Sequence, residues 1–347
     1  MRERDDTILA DLIAIRAEEK PDLDVVTFEM AGVRDDEIRT YSELFENANR
    51  IAVDLIAKGM EPGERFAILI RNHPEFVEMM IAASISGCVY VPIDPRTQGD
   101  KLAYTIRNSG CRGIYCADYS LAQVAEIRDK VPDIKWVSVL ETGEEEGAMP
   151  TADMPGAENF AVVMTEPFKA VDVRLKGPGD MLQIVYTSGT TGDPKGVVLS
   201  NERFGNVAKV GPWVGLTPED RPYTGLSLTH GNAQMLTLAF ALGMGLRAVF
   251  SRKFTKSRLW DITRKYDCTM FNLLGGMATA IYSEPEKPND GDNPVRFVLS
   301  AGMPPTIWES FEKRFNVDIV ELYGAVEGGL AMKPAGEGPG GRFGKTP

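Results

Sequence analysis

Met181-Leu-Gln-Ile-Val185 is an apolar run that reads as a buried strand, and it leads directly into Tyr186-Thr-Ser-Gly-Thr-Thr-Gly-Asp-Pro-Lys-Gly-Val197. Those twelve residues hold three glycines, four Ser/Thr hydroxyls and one lysine. Glycines let backbone N–H groups turn toward an anion, hydroxyls donate to its oxygens, and a lysine adds charge. A surface Gly/Ser/Thr turn is the ordinary reading of such a composition. The preceding strand and the single Lys195 turn that reading toward the binding of a polyphosphate.

The remaining pattern says what kind of sheet carries this loop. Leu44, Ala48, Ile51, Ala52 and Leu55 recur at helical spacing over 41–58, with Gly59 placed to cap the end. A buried strand is expected at 65–71, then a helix over 74–86 with Pro74 at its first position, then a strand at 87–92. A helix at 101–108 and a strand at 113–116 continue the alternation, while 141–180, with Glu144-Glu-Glu146 and scattered Pro and Gly, reads as a long surface excursion. Beyond the loop the spacing predicts helices at 231–243, 257–266, 276–283 and 305–315, and strands at 247–251, 269–273, 295–300 and 318–322. Alternating strands and helices indicate a parallel, doubly wound α/β fold, whose ligands bind beyond the carboxyl ends of the strands. Tyr186, Tyr323 and the residues after Ser300 all lie at such ends, so they can share one crevice.

A chain of 347 residues is expected to form two or three packed units. Its net charge of −12 argues against a nucleic-acid surface, which would need a Lys/Arg excess. Cys88, Cys111, Cys116 and Cys268 show no metal-binding spacing and read as buried thiols. The start has no signal-peptide core, and the longest apolar stretch, 235–250, is too short and too interrupted to span a bilayer; a cytoplasmic location is expected.

Against the nucleotide-hydrolase pattern G-x-x-x-x-G-K-[ST] the loop fails, since Pro194 stands where the second glycine belongs and Gly196 comes after Lys195. Nearly residue for residue it resembles the Y-T-S-G-[ST]-T-G-x-P-K-G loop of the adenylate-forming enzymes. Three further segments extend the resemblance. Ser300-Ala-Gly-Met-Pro304 is similar to that family's G-G-A-P-L segment, Glu321-Leu-Tyr-Gly-Ala-Val-Glu327 to its Y-G-x-T-E segment, and Leu228-Thr-His-Gly231 to the place where it carries an aromatic or histidine.

The resemblance implies a fold of two doubly wound sheet subdomains, about 1–60 with 201–325 and about 61–200, with an incomplete small β-barrel starting at 326–347. A ribose-binding T-G-D segment, a hinge and a late lysine have no counterpart, so the chain would be an N-terminal portion without its C-terminal lid domain. By the same resemblance, Thr187, Ser188, Gly189, Thr190, Thr191 and Lys195 would cradle the β- and γ-phosphates of ATP. Tyr323 would stack on adenine between Glu321, Leu322 and Gly324, with Ala301, Gly302 and Met303 as the opposite wall. Glu327 would ligate Mg²⁺. His230, Lys195 and Glu327 would be the catalytic group. His230, Gly231, Gly275, Gly276 and Gly302 would border the acyl group.

The implied reaction joins a carboxylic acid to AMP, releases pyrophosphate, and passes the acyl group to the thiol of CoA. The residues leave open a carrier-protein thiol as acceptor and a silent nucleotide-binding protein, the latter because Val326 replaces the usual Thr before Glu327. A homodimer also stays open. Gly231, where peptide synthetases carry an aspartate, argues against an amino acid substrate, and the run His230-Gly-Asn-Ala-Gln234 resembles acyl-CoA ligases for carnitine-type or medium- and long-chain acids. Gly275 and Gly276 are expected to make room for a bulky or long apolar acid, or else to serve a tight turn.

Overall fold

The computed structural model describes residues 3–187, 193–325 and 328–333. Among these, fifteen strands form two sheets. In chain order they are β1 (Asp24–Glu29), β2 (Glu37–Thr40), β3 (Arg65–Leu69), β4 (Val89–Pro92), β5 (Cys111–Ala117), β6 (Trp136–Leu140), β7 (Ala157–Asn159), β8 (Met181–Thr187), β9 (Lys195–Ser200), β10 (Pro222–Thr224), β11 (Ala248–Ser251), β12 (Met270–Leu274), β13 (Phe297–Ala301), β14 (Asp318–Ala325) and β15 (Gly328–Lys333). The first sheet runs β15-β14-β13-β12-β10-β11-β1-β2, the second β7-β6-β5-β3-β4-β8-β9. Neighbours pair in parallel except at three outer positions, where β2, β9 and β15 turn back antiparallel on β1, β8 and β14. Of the segment 326–347, expected to begin a barrel, β15 is described, and it extends the first sheet.

Strict alternation explains why both sheets are covered on both faces. Phe66, Ile68 and Ile70 belong to the core cluster between the sheets, whereas Ala67 and Leu69 pack on the far side. In the first sheet Ala248 and Phe250 face the shared core, and Val249 faces outward against Leu259, Ile262 and Trp308. Helices Tyr41–Ala57 and Pro74–Ser86 lie in the layer that the sheets share, and Leu44, Ile51, Leu55, Met79, Met80 and Ala83 join Val25 and Phe28 to Phe66 and Tyr90. Helix Pro74–Ser86 is apolar nearly all round, as a helix enclosed by protein must be. Its proline sits at the first turn, and Gly87 ends it at φ 75°.

Several expected boundaries shift. The strand expected at 87–92 begins at Val89, because Gly87 closes the helix. The helix expected from 305 begins at Trp308, after the Pro304-Pro305 turn. Residues 141–180 contain β7 and the short helix Ala161–Thr165, and Glu144, expected on the surface, has a fully buried side chain.

Candidate nucleotide and acyl site

The Gly/Ser/Thr segment expected to hold phosphate lies in sequence between β8 and β9, which pair antiparallel. Thr187 and Lys195 are cross-strand partners at the loop end of this hairpin, so their side chains leave the same face of it. Gly196 is required there, because a Cβ would meet the Ile184 methyl at 2.8 Å and the Tyr186 ring at 3.2 Å. Tyr186 is held by a 2.6 Å hydrogen bond from its hydroxyl to Asn108 Oδ1. Ser188, Gly189, Thr190 and Thr191 lie outside the described residues, as do Val326 and Glu327.

The other expected residues gather at the carboxyl edge of the first sheet. Leu274 pairs with Ala301 and Ser300 with Glu321, so β12 and β13 end together while β14 runs on against β15. Past Ala301 the chain turns through Gly302 at φ 82°, with open space where a side chain would be, and Met303 anchors the turn in the outer core. Leu322 is buried, whereas Tyr323, which pairs with Ala331 of β15, is 66% exposed beside Gly324, which is also exposed. A large aromatic ring presented this way, next to an open glycine turn, is an arrangement that a flat base can occupy.

The two glycines after β12 differ. A Cβ at Gly275 would lie 2.1 Å from the Gly302 carbonyl oxygen, so this position serves a close backbone approach and leaves no room for an acyl group. Gly276 faces open space. The expected space therefore narrows to one position.

His230 stands on the loop after β10, with Gly231 opening the helical stretch 231–244. Two buried amide side chains hold this loop. Asn72, just past β3, donates its Nδ2 to the carbonyls of Leu226 (2.9 Å) and Ser251 (2.8 Å), and its Oδ1 accepts the Leu228 N–H at 2.8 Å. One amide thus ties the carboxyl ends of β3, β10 and β11 together. Gln234, at the start of a π turn, donates to the Leu228 carbonyl at 2.6 Å and accepts the Tyr90 hydroxyl at 2.9 Å. Nearby, burial opposes ionisation of Asp94, but the Arg96 guanidinium and backbone N–H, with His230 contributing, hold it below the usual carboxylate range.

A second polar cluster braces the same edges. Glu144 reaches in from the 141–147 loop to Arg252 and lies 3.7 Å from Arg34, 3.8 Å from Arg71 and 3.8 Å from His73. Burial, then the charges of Arg34, Arg252 and Arg71, push His73 down to about 3, so the imidazole is neutral. An asparagine shortly ahead of Pro74 and a glutamate in an acidic loop carry no periodic signal, which is why spacing does not reveal either.

Two mostly parallel sheets, one carrying a Gly/Ser/Thr-rich hairpin segment and the other an exposed tyrosine, are the parts of an adenylate-forming large domain, and known proteins agree. The chain belongs to the AMP-binding enzyme family, which matches residues 13–345. FadD6 of Mycobacterium tuberculosis, a medium/long-chain-fatty-acid–CoA ligase, is 30% identical over 304 residues, covering 86% of this chain and 48% of that protein. Long-chain fatty acid transport protein 1 of Bos taurus is 29% identical over 294 residues, 83% of this chain and 44% of the relative. The chain thus spans about half the length of the curated relatives it matches. A benzoate CoA ligase from Burkholderia xenovorans has the same fold, with TM-score 0.83 and 19% identity over 98% of this chain and 65% of that one. The anthranilate CoA ligase AuaEII, solved with anthranoyl-AMP, gives 0.79 and 20% over 92% and 60%. No helix among the described residues is long and apolar enough to cross a membrane.

Proposed function

We propose that this domain takes part in activating a non-amino carboxylic acid with ATP, for transfer to the thiol of CoA. A carboxylate oxygen attacks the α-phosphorus, the α–β P–O bond breaks, and pyrophosphate leaves; the thiol then attacks the acyl carbon and AMP departs. The observation that carries this reading is the hairpin register that sets Thr187 beside Lys195 at the mouth of the phosphate loop. An anion must approach a polyanion, so charge neutralisation and positioning supply most of the catalysis. Lys195 supplies the charge and Thr187 a donor, while Ser188, Gly189, Thr190 and Thr191 complete the cradle. Tyr323 and the Ala301–Met303 turn hold the base. Glu327 would hold Mg²⁺, which would neutralise phosphate oxygens. His230, on a loop clamped by Asn72 and Gln234, separates nucleotide from acyl group. Names of the relatives favour an aliphatic acid of medium or long chain.

A thermal-shift panel with ATP·Mg²⁺ and stable acyl-adenylate mimics tests this. A ligand at a hundred times its Kd adds about 2.7 kcal/mol, enough to raise Tm by several degrees. We expect a rise with an aliphatic or aryl acyl mimic and none with an aminoacyl mimic. Lys195→Ala removes most of the rise. An unchanged Tm across the panel would overturn the reading.

A further inference from the structure

Glu144 lies among more cations than it satisfies. Its side chain is fully buried, although Glu145 and Glu146 beside it are exposed. Three guanidinium groups converge on it from the ends of three strands: Arg34 after β1, Arg71 after β3 and Arg252 after β11. Among the described residues, Arg252 alone makes a hydrogen bond to its carboxylate. Arg34 Nε and Arg71 Nη1 stop 3.7 and 3.8 Å from its oxygens. Both nitrogens, and Oε1 of Glu144, are buried with no hydrogen-bond partner among the described residues. Other contacts hold these donors in place. Arg34 Nη2 donates to Glu37 at 2.8 Å and to His73 Nδ1 at 3.0 Å, and the Arg71 guanidinium lies 4.1 Å from the centre of the Tyr119 ring. A buried donor left unpaired costs free energy, which a group that pairs it recovers.

We propose that Arg34, Arg71 and Arg252 form a binding pocket for a phosphate dianion, and that Glu144 and Glu145 are its built-in occupants. A tetrahedral phosphate presents terminal oxygens in three directions and can accept from Arg34 Nε, Arg71 Nη1 and Arg252 Nε together, where the tethered carboxylate reaches one of them. The exchange conserves charge, since Glu144 and Glu145, which pairs with Arg71, carry two negative charges between them. The loop is built to yield. Asp118 accepts the N–H groups of Thr142 and Gly143 at 2.9 Å each and so fixes the stem, while Gly143 at φ 64° and Gly147 at φ 79° bracket the glutamates with backbone that can reorient. Because the ligand replaces single side chains, it is inorganic phosphate or the terminal phosphate of a small metabolite. The pocket is separate from the segment after β8, with β4 between β3 and β8, and it stands whether or not that segment binds ATP.

The test is calorimetric titration with inorganic phosphate and with methyl phosphate. Glu144→Gln keeps the shape of the side chain and removes its charge, so the internal competitor is weakened. Phosphate is expected to bind this variant about tenfold tighter than the unaltered protein, because more of the pocket is free to receive it. Adding Arg71→Met should abolish that gain, and adding Lys195→Ala should leave it intact; Arg34→Gln replaces Arg71→Met if the latter does not fold. Methyl phosphate binding as tightly as inorganic phosphate would assign the pocket to the end of a metabolite, and inorganic phosphate binding alone would assign it to the free ion. Equal affinity in Glu144→Gln and the unaltered protein would overturn the proposal, and so would the absence of binding to either. A gain that survives the arginine substitution, or disappears with Lys195, would place the phosphate elsewhere and overturn it as well.

Discussion

Gly275 and Gly276 are adjacent and identical, yet they answer to different constraints. The first lies against the Gly302 carbonyl, at a distance no side chain tolerates, and so couples the end of β12 to the turn that follows β13. Gly275→Ala is expected to cost about 1–3 kcal/mol in urea unfolding, because the backbone must move to admit a methyl group. Gly276→Ala meets nothing within 4 Å and sits in the first turn of helix Gly275–Tyr282, so it gains up to about 1 kcal/mol of helix propensity. Equal effects at the two positions would contradict the close approach. Composition alone gives both residues the same reading, since only the tertiary register of β12 against β13 separates them.

At the scale of elements, helix Pro74–Ser86 carries an unusual burden for one so enclosed. Glu75 and Glu78, one turn apart, share Arg39, which pairs with Glu78 at 2.8 Å and lies 3.7 Å from Glu75. Burial first, then the neighbouring carboxylates Glu78 and Glu37, push Glu75 up to about 8, and burial raises Glu78 as well, so the pair keeps a proton at neutral pH. A group whose native pKa is raised contributes stability that is complete below its unfolded pKa near 4.5 and is lost as pH rises through about 8. Urea midpoints should therefore fall over this window by up to about 1.4 kcal/mol per pH unit, and Glu75→Gln should flatten the fall. Parallel profiles for the two proteins would refute the shared proton. The helix itself is legible in the sequence, from Pro74 at its start to Gly87 at its end, because caps and apolar runs are local signals. So are the parallel strands, whose alternating faces both need cover. The carboxylate pair and Asn72 are not legible, because their partners on β2, on β11 and beyond β10 become neighbours only after folding.

Across the whole molecule, the two sheets are joined by apolar layers and by a few polar fasteners at their carboxyl ends. Glu144 is one of these, since Arg34 and Arg252 come after strands of the first sheet while Arg71 and the 141–147 loop belong to the second. Glu144→Ala removes a buried carboxylate from beside the nearly buried Arg252 and the part-exposed Arg34 and Arg71, and is expected to cost about 1–3 kcal/mol, read as a lowered urea midpoint. A midpoint unchanged within error would mean that the loop is not fastened there. One consequence of the strand order concerns the moment the chain is made. β1 lies against β11, from Val26 to Ala248, yet the whole second sheet is encoded between them. On a ribosome, β1 and β2 emerge roughly 200 residues before the strand that completes their pairing, a delay on the order of ten seconds or more. During that interval Val25, Val26 and Phe28 have no finished core to enter, so the nascent chain depends on early completion of the second sheet, or on a chaperone, to escape aggregation.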